Sequence, residues 1–300
     1  VNNIIALVNR SKKVTQEQAV AMAEALQTQA NEHFAPIWGT EEVTVQAYKT
    51  VKEAPKGAHQ IVLLDDHGDE SADGYHTTTD SGEPYSKVLV AECLAQGGGI
   101  LVKGDLDGEG GEDDADDEDD ADEEDDDDSD EDDADADVDD AEEEEEEEDD
   151  AADEDDDSEE VSPDTISATA SHELLEMLAD PACELYKKGP PIKKKYDKYS
   201  VEVCDPVQET AYNITLADGE TIVTVSNFVT KSWFEKGGAA PYDYLELLKK
   251  PFNLAGGGYM SLEDEQGNTH DESDDDAPPA AWRQAARKHP AARGNRRKST

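Results

Sequence analysis

The residues best placed to do chemistry lie together in Ser171-His172-Glu173-Leu174-Leu175-Glu176-Met177-Leu178-Ala179-Asp180-Pro181. On a helix, positions four apart stack on one face, so His172 and Glu176 can reach a single ion, while Glu173, about 100° round, borders the same cleft. The spacing is that of the H-E-x-x-H zinc helix with Glu in place of the second His. Zinc accepts imidazole nitrogen and carboxylate oxygen alike, and a hydrolytic site needs three protein ligands and an open position for water. The helix supplies two. Asp205, in Val201-Glu202-Val203-Cys204-Asp205-Pro206, is the first choice for the third, because it ends a predicted strand soon after the helix and emerges at a sheet edge; Asp180, Glu202 and His76 compete. In this scheme the metal lowers the pKa of its water and polarises the scissile carbonyl, and Glu173 removes the proton and later gives it to the leaving amine. Two carboxylates among the ligands also suit a divalent metal other than zinc.

These residues must be held by the elements around them. Ile166, Ala170, Leu174 and Leu178 form a stripe about 200° from His172, which anchors the helix in a core and leaves the ligand face pointing outward into a cleft. Ser162-Pro163-Asp164 reads as the helix start and Asp180-Pro181 as its stop. Upstream, Ile4 to Val8 has strand length, Thr15-Gln16-Glu17-Gln18 is a capping box opening a helix over about 16–33, Glu42 to Tyr48 alternates as a strand, and Gln60 to Leu64 is a continuous apolar strand that belongs at the centre of a sheet. Asp65 to Pro84 reads as a long loop and Tyr85 to Glu92 as strand. Downstream, Lys187 to Lys198 reads as a basic loop. Ser200 to Cys204, Ala211 to Leu216 and Glu220 to Val225 read as strands, the last two forming a hairpin through Ala217-Asp218-Gly219. Turns or short helices are expected over Asn227 to Phe234 and Tyr242 to Leu248. The pattern is α/β (α+β): a mixed sheet beside a metal-site helix.

Charge divides the chain. Residues 105–160 hold 42 of the 78 acidic side chains and no Lys or Arg. A further eight acids lie in 263–276, and seven basic residues in 283–298. What remains carries 28 acids against 18 bases over 206 residues, an ordinary balance for one domain, so the net charge of −53 does not describe a uniformly salt-adapted surface. The reading is therefore one domain in two parts, 1–104 and 161–262, interrupted by a disordered acidic insertion over 105–160 and followed by a disordered acidic then basic tail over 263–300. No stretch has the roughly 18 apolar residues of a membrane helix, and the opening residues lack a signal-peptide pattern, so a cytoplasmic or virion setting without membrane contact is expected.

Gly74-Tyr75-His76, Gly82-Glu83-Pro84-Tyr85-Ser86-Lys87-Val88-Leu89-Val90, the Ser171–Pro181 segment, Cys204-Asp205-Pro206-Val207, Val225-Ser226-Asn227-Phe228-Val229 and Pro241-Tyr242-Asp243-Tyr244-Leu245 together resemble a family of bacterial and phage-associated proteins of zincin-like metallopeptidase character. The resemblance covers most of 60–260 and implies a zinc-dependent hydrolase acting on a peptide or protein. Where such proteins connect the Val88–Val90 strand to the helix by a shorter path, this chain inserts its acidic block. A reading from another class is a non-enzymatic interaction or virion protein whose acidic tract binds basic proteins; the basic stretch from Trp282 to Thr300 suits nucleic acid. Other features have simpler explanations. Cys93, Cys183 and Cys204 lack metal spacing and read as small core residues. Gly97-Gly98-Gly99 reads as a flexible link, since no Gly-Lys-Ser/Thr follows. Asp65-Asp66-His67 is a solvated strand end, Tyr212 a packing aromatic, and Trp233, Phe234, Tyr242 and Tyr244 core or cleft wall.

Overall fold

The computed structural model describes residues 3–65, 74–79, 82–95, 97–102 and 161–273, so the acidic insertion and the basic tail lie outside the described residues. Those before and after the insertion belong to one unit of mixed α and β structure. Strands β1 (Ile4–Asn9), β2 (Thr44–Tyr48), β3 (His59–Leu64), β4 (Gly74–Thr78) and β5 (Pro84–Leu89) form a sheet in the order β2-β1-β3-β5-β4. The first four in that order run parallel; β4, at the edge, is antiparallel to β5. Strand alternation sorts the apolar side chains. Ile5, Leu7, Ile61, Leu63 and Val88 enter the large core on the helix side, whereas Ala6, Val8 and Val62 form a smaller cluster on the other face.

Helix α1 (Gln16–Thr28) starts at the expected capping box: Gln18 N donates to Thr15 Oγ1 (3.1 Å) and Thr15 N to Gln18 Oε1 (2.8 Å). Within the expected span of about 16–33 it gives way to a π-helical turn, Gln29–Phe34, and it runs past that span as α2 (Ala35–Trp38), closed by Gly39 in the left-handed region. Helix α3 (Val90–Ala95) follows β5 directly. Helix α4 (Ile166–Ala179) carries the His-Glu segment. It begins four residues later than Ser162, with Thr165 as its cap, because 164–166 is held in extended pairing with Gly99: Gly99 N donates to Asp164 O (2.9 Å) and Ile166 N to Gly99 O (3.0 Å). The glycine run is therefore a packed junction and not a flexible link; a Cβ on Gly98 would lie 2.6 Å from Cys93 O.

Ile166, Ala170 and Leu174 do anchor α4 in the sheet core. Leu175, on the other side, enters a second core with Phe34, Val201, Val203, Phe228 and Trp233. Packing on both sides buries the helix nearly all round, so its ligand face does not point outward as the single-stripe pattern implies.

Three further expectations are corrected. The stretch 65–84 is not loop throughout, since it contains β4. Lys187–Lys198 is mostly the hairpin of β6 (Tyr186–Ile192) and β7 (Tyr196–Ser200). Pro190 and Pro191 are tolerated because β6 is the edge of a sheet ordered β11-β10-β7-β6 and its ladder is interrupted between Lys188 and Ile192. The start of the supposed tail is ordered: β10 (Tyr259–Glu263) and β11 (Thr269–Ser273) pair around a turn in which Asp264 accepts from Gln266 N (2.9 Å) and Asn268 N (2.8 Å). The basic hairpin and this acidic one are neighbours, with Lys198 3.0 Å from Glu263 and Lys195 3.5 Å from Asp264. The remaining pair, β8 (Ala211–Thr215) and β9 (Ile222–Ser226), is the expected hairpin. Among the described residues, no helix is long and apolar enough to cross a membrane.

Candidate metal centre

Helical spacing brings His172 Nε2 to 3.2 Å from Glu176 Oε1, and the chain after β7 brings Asp205 Oδ1 to 3.2 Å from the same nitrogen. Asp205 does not end a strand. Strand β7 stops at Ser200, and 201–204 passes against α4, where Cys204 N donates to Glu176 Oε1 (3.2 Å). Asp205 then opens a 3-10 turn, Asp205–Val207, with Pro206 fixing its backbone. One side of Glu176 is thus turned towards His172 and Asp205.

The other side meets β4. His76 Nδ1 is 3.5 Å from Glu176 Oε2 and 3.3 Å from Glu173 Oε2, and its Nε2 is 3.6 Å from Glu202 Oε2. The approach of β4 to α4 depends on a residue without a side chain: a Cβ on Gly74 would lie 2.8 Å from Thr169 Cγ2 and 3.0 Å from Glu173 Oε1. His76, two residues on, faces the same side of the strand.

Of the competitors for third ligand, Asp180 is engaged elsewhere, accepting from Glu184 N (3.0 Å) and Leu185 N (2.8 Å) in the turn that ends α4. Glu202 and His76 are in the cluster but on the far side of Glu176 from His172. Asp65 clasps the strand end, accepting from Ser11 Oγ and from Lys12 N (2.9 Å). Cys93, Cys183 and Cys204 are buried, Cys93 in the sheet core; Cys204 lies under the site with its Sγ 3.8 Å from His172 O. Tyr212 does more than pack: its hydroxyl is 2.9 Å from His33 Nδ1 and accepts from Gln29 Nε2 (3.2 Å). Gln29 in turn accepts from Ser171 Oγ (2.7 Å), which ties the π-helical turn to the start of the His-Glu segment.

Burial and neighbouring carboxylates set the electrostatics. Burial opposes the charged form of His172, but Glu176 beside it and Asp205 outweigh that cost and raise its pKa well above the usual imidazole value. His76 behaves alike: burial lowers its pKa, Glu202 and Glu173 raise it, and the net direction is strongly upward. For Glu176, burial dominates and pushes the carboxyl up, against the pull of His172. Only His172 offers access, its side chain being 19% exposed while those of Glu173, Glu176 and Asp205 are nearly sealed.

One imidazole and carboxylates from Glu176 and Asp205 present ligand atoms all within 4.8 Å of one another, close enough to share a metal ion. The donor set fits zinc: bonds of 2.0–2.1 Å in a tetrahedron separate neighbouring ligands by about 3.3–3.4 Å, near the two 3.2 Å separations from His172 Nε2. No family model, curated protein or solved structure matches the chain.

Proposed function

We propose that the protein is a zincin-like, zinc-dependent peptide hydrolase in which His172, Glu176 and Asp205 hold the ion and Glu173 is the general base. The observation that carries this reading is the convergence of Glu176 and Asp205 on His172 Nε2 at 3.2 Å each, from elements separated in sequence. The parallel sheet with an antiparallel edge strand beside the His-Glu helix supports the zincin-like assignment. A divalent ion held by these three side chains would supply a water of lowered pKa and polarisation of the scissile carbonyl. Glu173, one residue beyond His172 on the same helix, takes the proton from the attacking water and delivers it to the departing amine. His76 Nδ1, 3.3 Å from the Glu173 carboxylate, orients it.

The test is hydrolysis of a mixed fluorogenic peptide library by the zinc-loaded full chain. Glu173→Gln should keep the ion and lose about 10²–10⁴-fold in rate, the usual worth of a general base. Wild-type turnover in that variant, or a chain that takes up no ion, would overturn the proposal. The burial of Glu173 favours a second reading, in which the ion is structural and the chain acts through its charged segments on basic proteins or nucleic acid. Stoichiometric zinc without turnover of any library member selects it.

A further inference from the structure

We infer that the centre takes two divalent cations, the second held by His76, Glu176 and Glu202, with the Glu176 carboxylate bridging the pair. The inference rests on the proposed hydrolase site, which supplies the first ion. A ring nitrogen of His76 and one oxygen from each of Glu176 and Glu202 lie within 4.8 Å of one another, as do the ligand atoms of the first group, and all three residues of the second group are buried. Glu176 is common to both groups and divides its oxygens between them: Oε1 is 3.2 Å from His172 Nε2, and Oε2 is 3.5 Å from His76 Nδ1. A carboxylate so placed between two ligand sets is the arrangement of two-metal hydrolytic sites, whose ions stand about 3.5–4 Å apart.

The separations around His76 argue in the same direction. Charge-assisted N–H to carboxylate hydrogen bonds close to about 2.7–2.9 Å, yet His76 stands 3.3, 3.5 and 3.6 Å from Glu173, Glu176 and Glu202. Those gaps are wide for such bonds, and with Nε2 on the ion the 3.6 Å to Glu202 Oε2 is near the spacing of two ligands. With Nε2 on the ion, Nδ1 can donate its N–H to Glu173, 3.3 Å away and outside the ligand group, the outer contact that fixes a ligand imidazole.

Charge supplies the third argument. Glu173, Glu176, Glu202 and Asp205 bring four carboxylates into one cluster, all below one-tenth exposed. Buried charge that is not compensated is costly. Manganese or zinc would suit a carboxylate-rich second position served by one imidazole.

The experiment measures zinc bound to the full chain after dialysis in about 0.5 M NaCl, where the short Debye length weakens loose binding to the acidic tract. Electron paramagnetic resonance of the manganese-loaded protein then reports coupling between neighbouring ions. The expected result is one more zinc per chain in the wild type than in His76→Ala or in Glu202→Gln, and one more than in Asp205→Asn, with coupled manganese spectra in the wild type alone. Glu202→Gln preserves side-chain volume, so it carries the test if His76→Ala does not fold. A single zinc that is lost in Asp205→Asn and kept in His76→Ala and Glu202→Gln would overturn the second site and leave the hydrolase site standing. A single zinc with the opposite pattern, or none at all, would overturn both. Equal zinc in the wild type, His76→Ala and Glu202→Gln, or coupling that survives those two substitutions, would also overturn the second site.

Discussion

Gly74→Ala tests how the sheet edge is fitted to the His-Glu helix. The added methyl would sit 2.8 Å from Thr169 Cγ2, 3.0 Å from Glu173 Oε1 and 3.2 Å from Glu173 Cγ, so something must move. Neither neighbour yields freely. Thr169 Oγ1 donates to Thr165 O (3.2 Å), and the Glu173 carboxylate is engaged with His76. Strand β4 must therefore lift from α4, and His76 goes with it. Overfilling a packed contact costs about 1–3 kcal/mol. At about 2–4 °C per kcal/mol for a domain of this size, Tm should fall by about 2–12 °C. Zinc uptake should weaken in the same variant, because the displaced His76 is a neighbour of Glu176, 3.5 Å from its Oε2. The second arm is Gly74→Ala with Thr169→Ser, which removes Cγ2 and keeps the hydroxyl. Its stability should exceed the sum of the two single effects by more than about 0.5 kcal/mol, the mark of direct coupling. Unchanged Tm and zinc uptake in Gly74→Ala, or strict additivity in the pair, would refute the claim that this contact sets the distance between strand and helix.

Metal and pH should act with opposite sign on stability. Without an ion, the raised pKa values of His172, His76 and Glu176 mean that the folded chain holds more protons than the unfolded one. The stability they contribute is complete below the unfolded values, about 6.5 for His, and is lost as pH rises through the folded values. Chelated protein should thus melt lower at about pH 8.5 than at about pH 6.5, while the increment from added zinc grows over that interval because ligands must be deprotonated to bind; an increment that shrinks would count against the site. Leu174→Ala should cost about 2–5 kcal/mol in denaturant unfolding, since Leu174 is wholly buried in the sheet core; a cost under 1 kcal/mol would show that the stripe does not anchor the helix. Replacing Asp105–Glu160 by a flexible link should leave the fold intact and abolish low-salt affinity for a basic peptide. The parallel pairing of Gly99 with Thr165 calls for a link of about a dozen residues and not a tight turn; loss of folding, or unchanged peptide affinity, would sink this reading of the tract.

Local rules explain which elements could be read from the sequence. The capping box at Thr15, the apolar run of β3 and the Ala217-Asp218-Gly219 turn each depend on residues a few positions apart. Errors arose where a distant partner overrides local composition. Lys187–Lys198 looks like a loop because of its charge and prolines, and 263–273 looks like disordered tail because of its acids. Each becomes a hairpin with the other's sheet as support and with Lys198 set against Glu263. Strand β4 is missed for the same reason: Gly, Tyr, His and Thr have no apolar alternation, and its existence depends on pairing with β5 and on the fit of Gly74 against Thr169.

The candidate site follows the same division. His172 and Glu176 were legible because the helix period alone fixes their offset. Asp205 is legible as a position soon after the helix, but a Pro-bearing 3-10 turn and not a strand end presents it. His76 could be seen only as a rival for the third ligand. Its relation to Glu176 passes through the register of β4 on β5, where His76 stands opposite Ser86, and Ser86 points at Met177 of α4. That register decides which β4 side chain meets the helix, and shifting it by one residue would turn His76 to the opposite face and bring Tyr75 or Thr77 towards Glu176. The pairing of Gly74 with Val88 therefore determines whether Glu176 faces one imidazole or two.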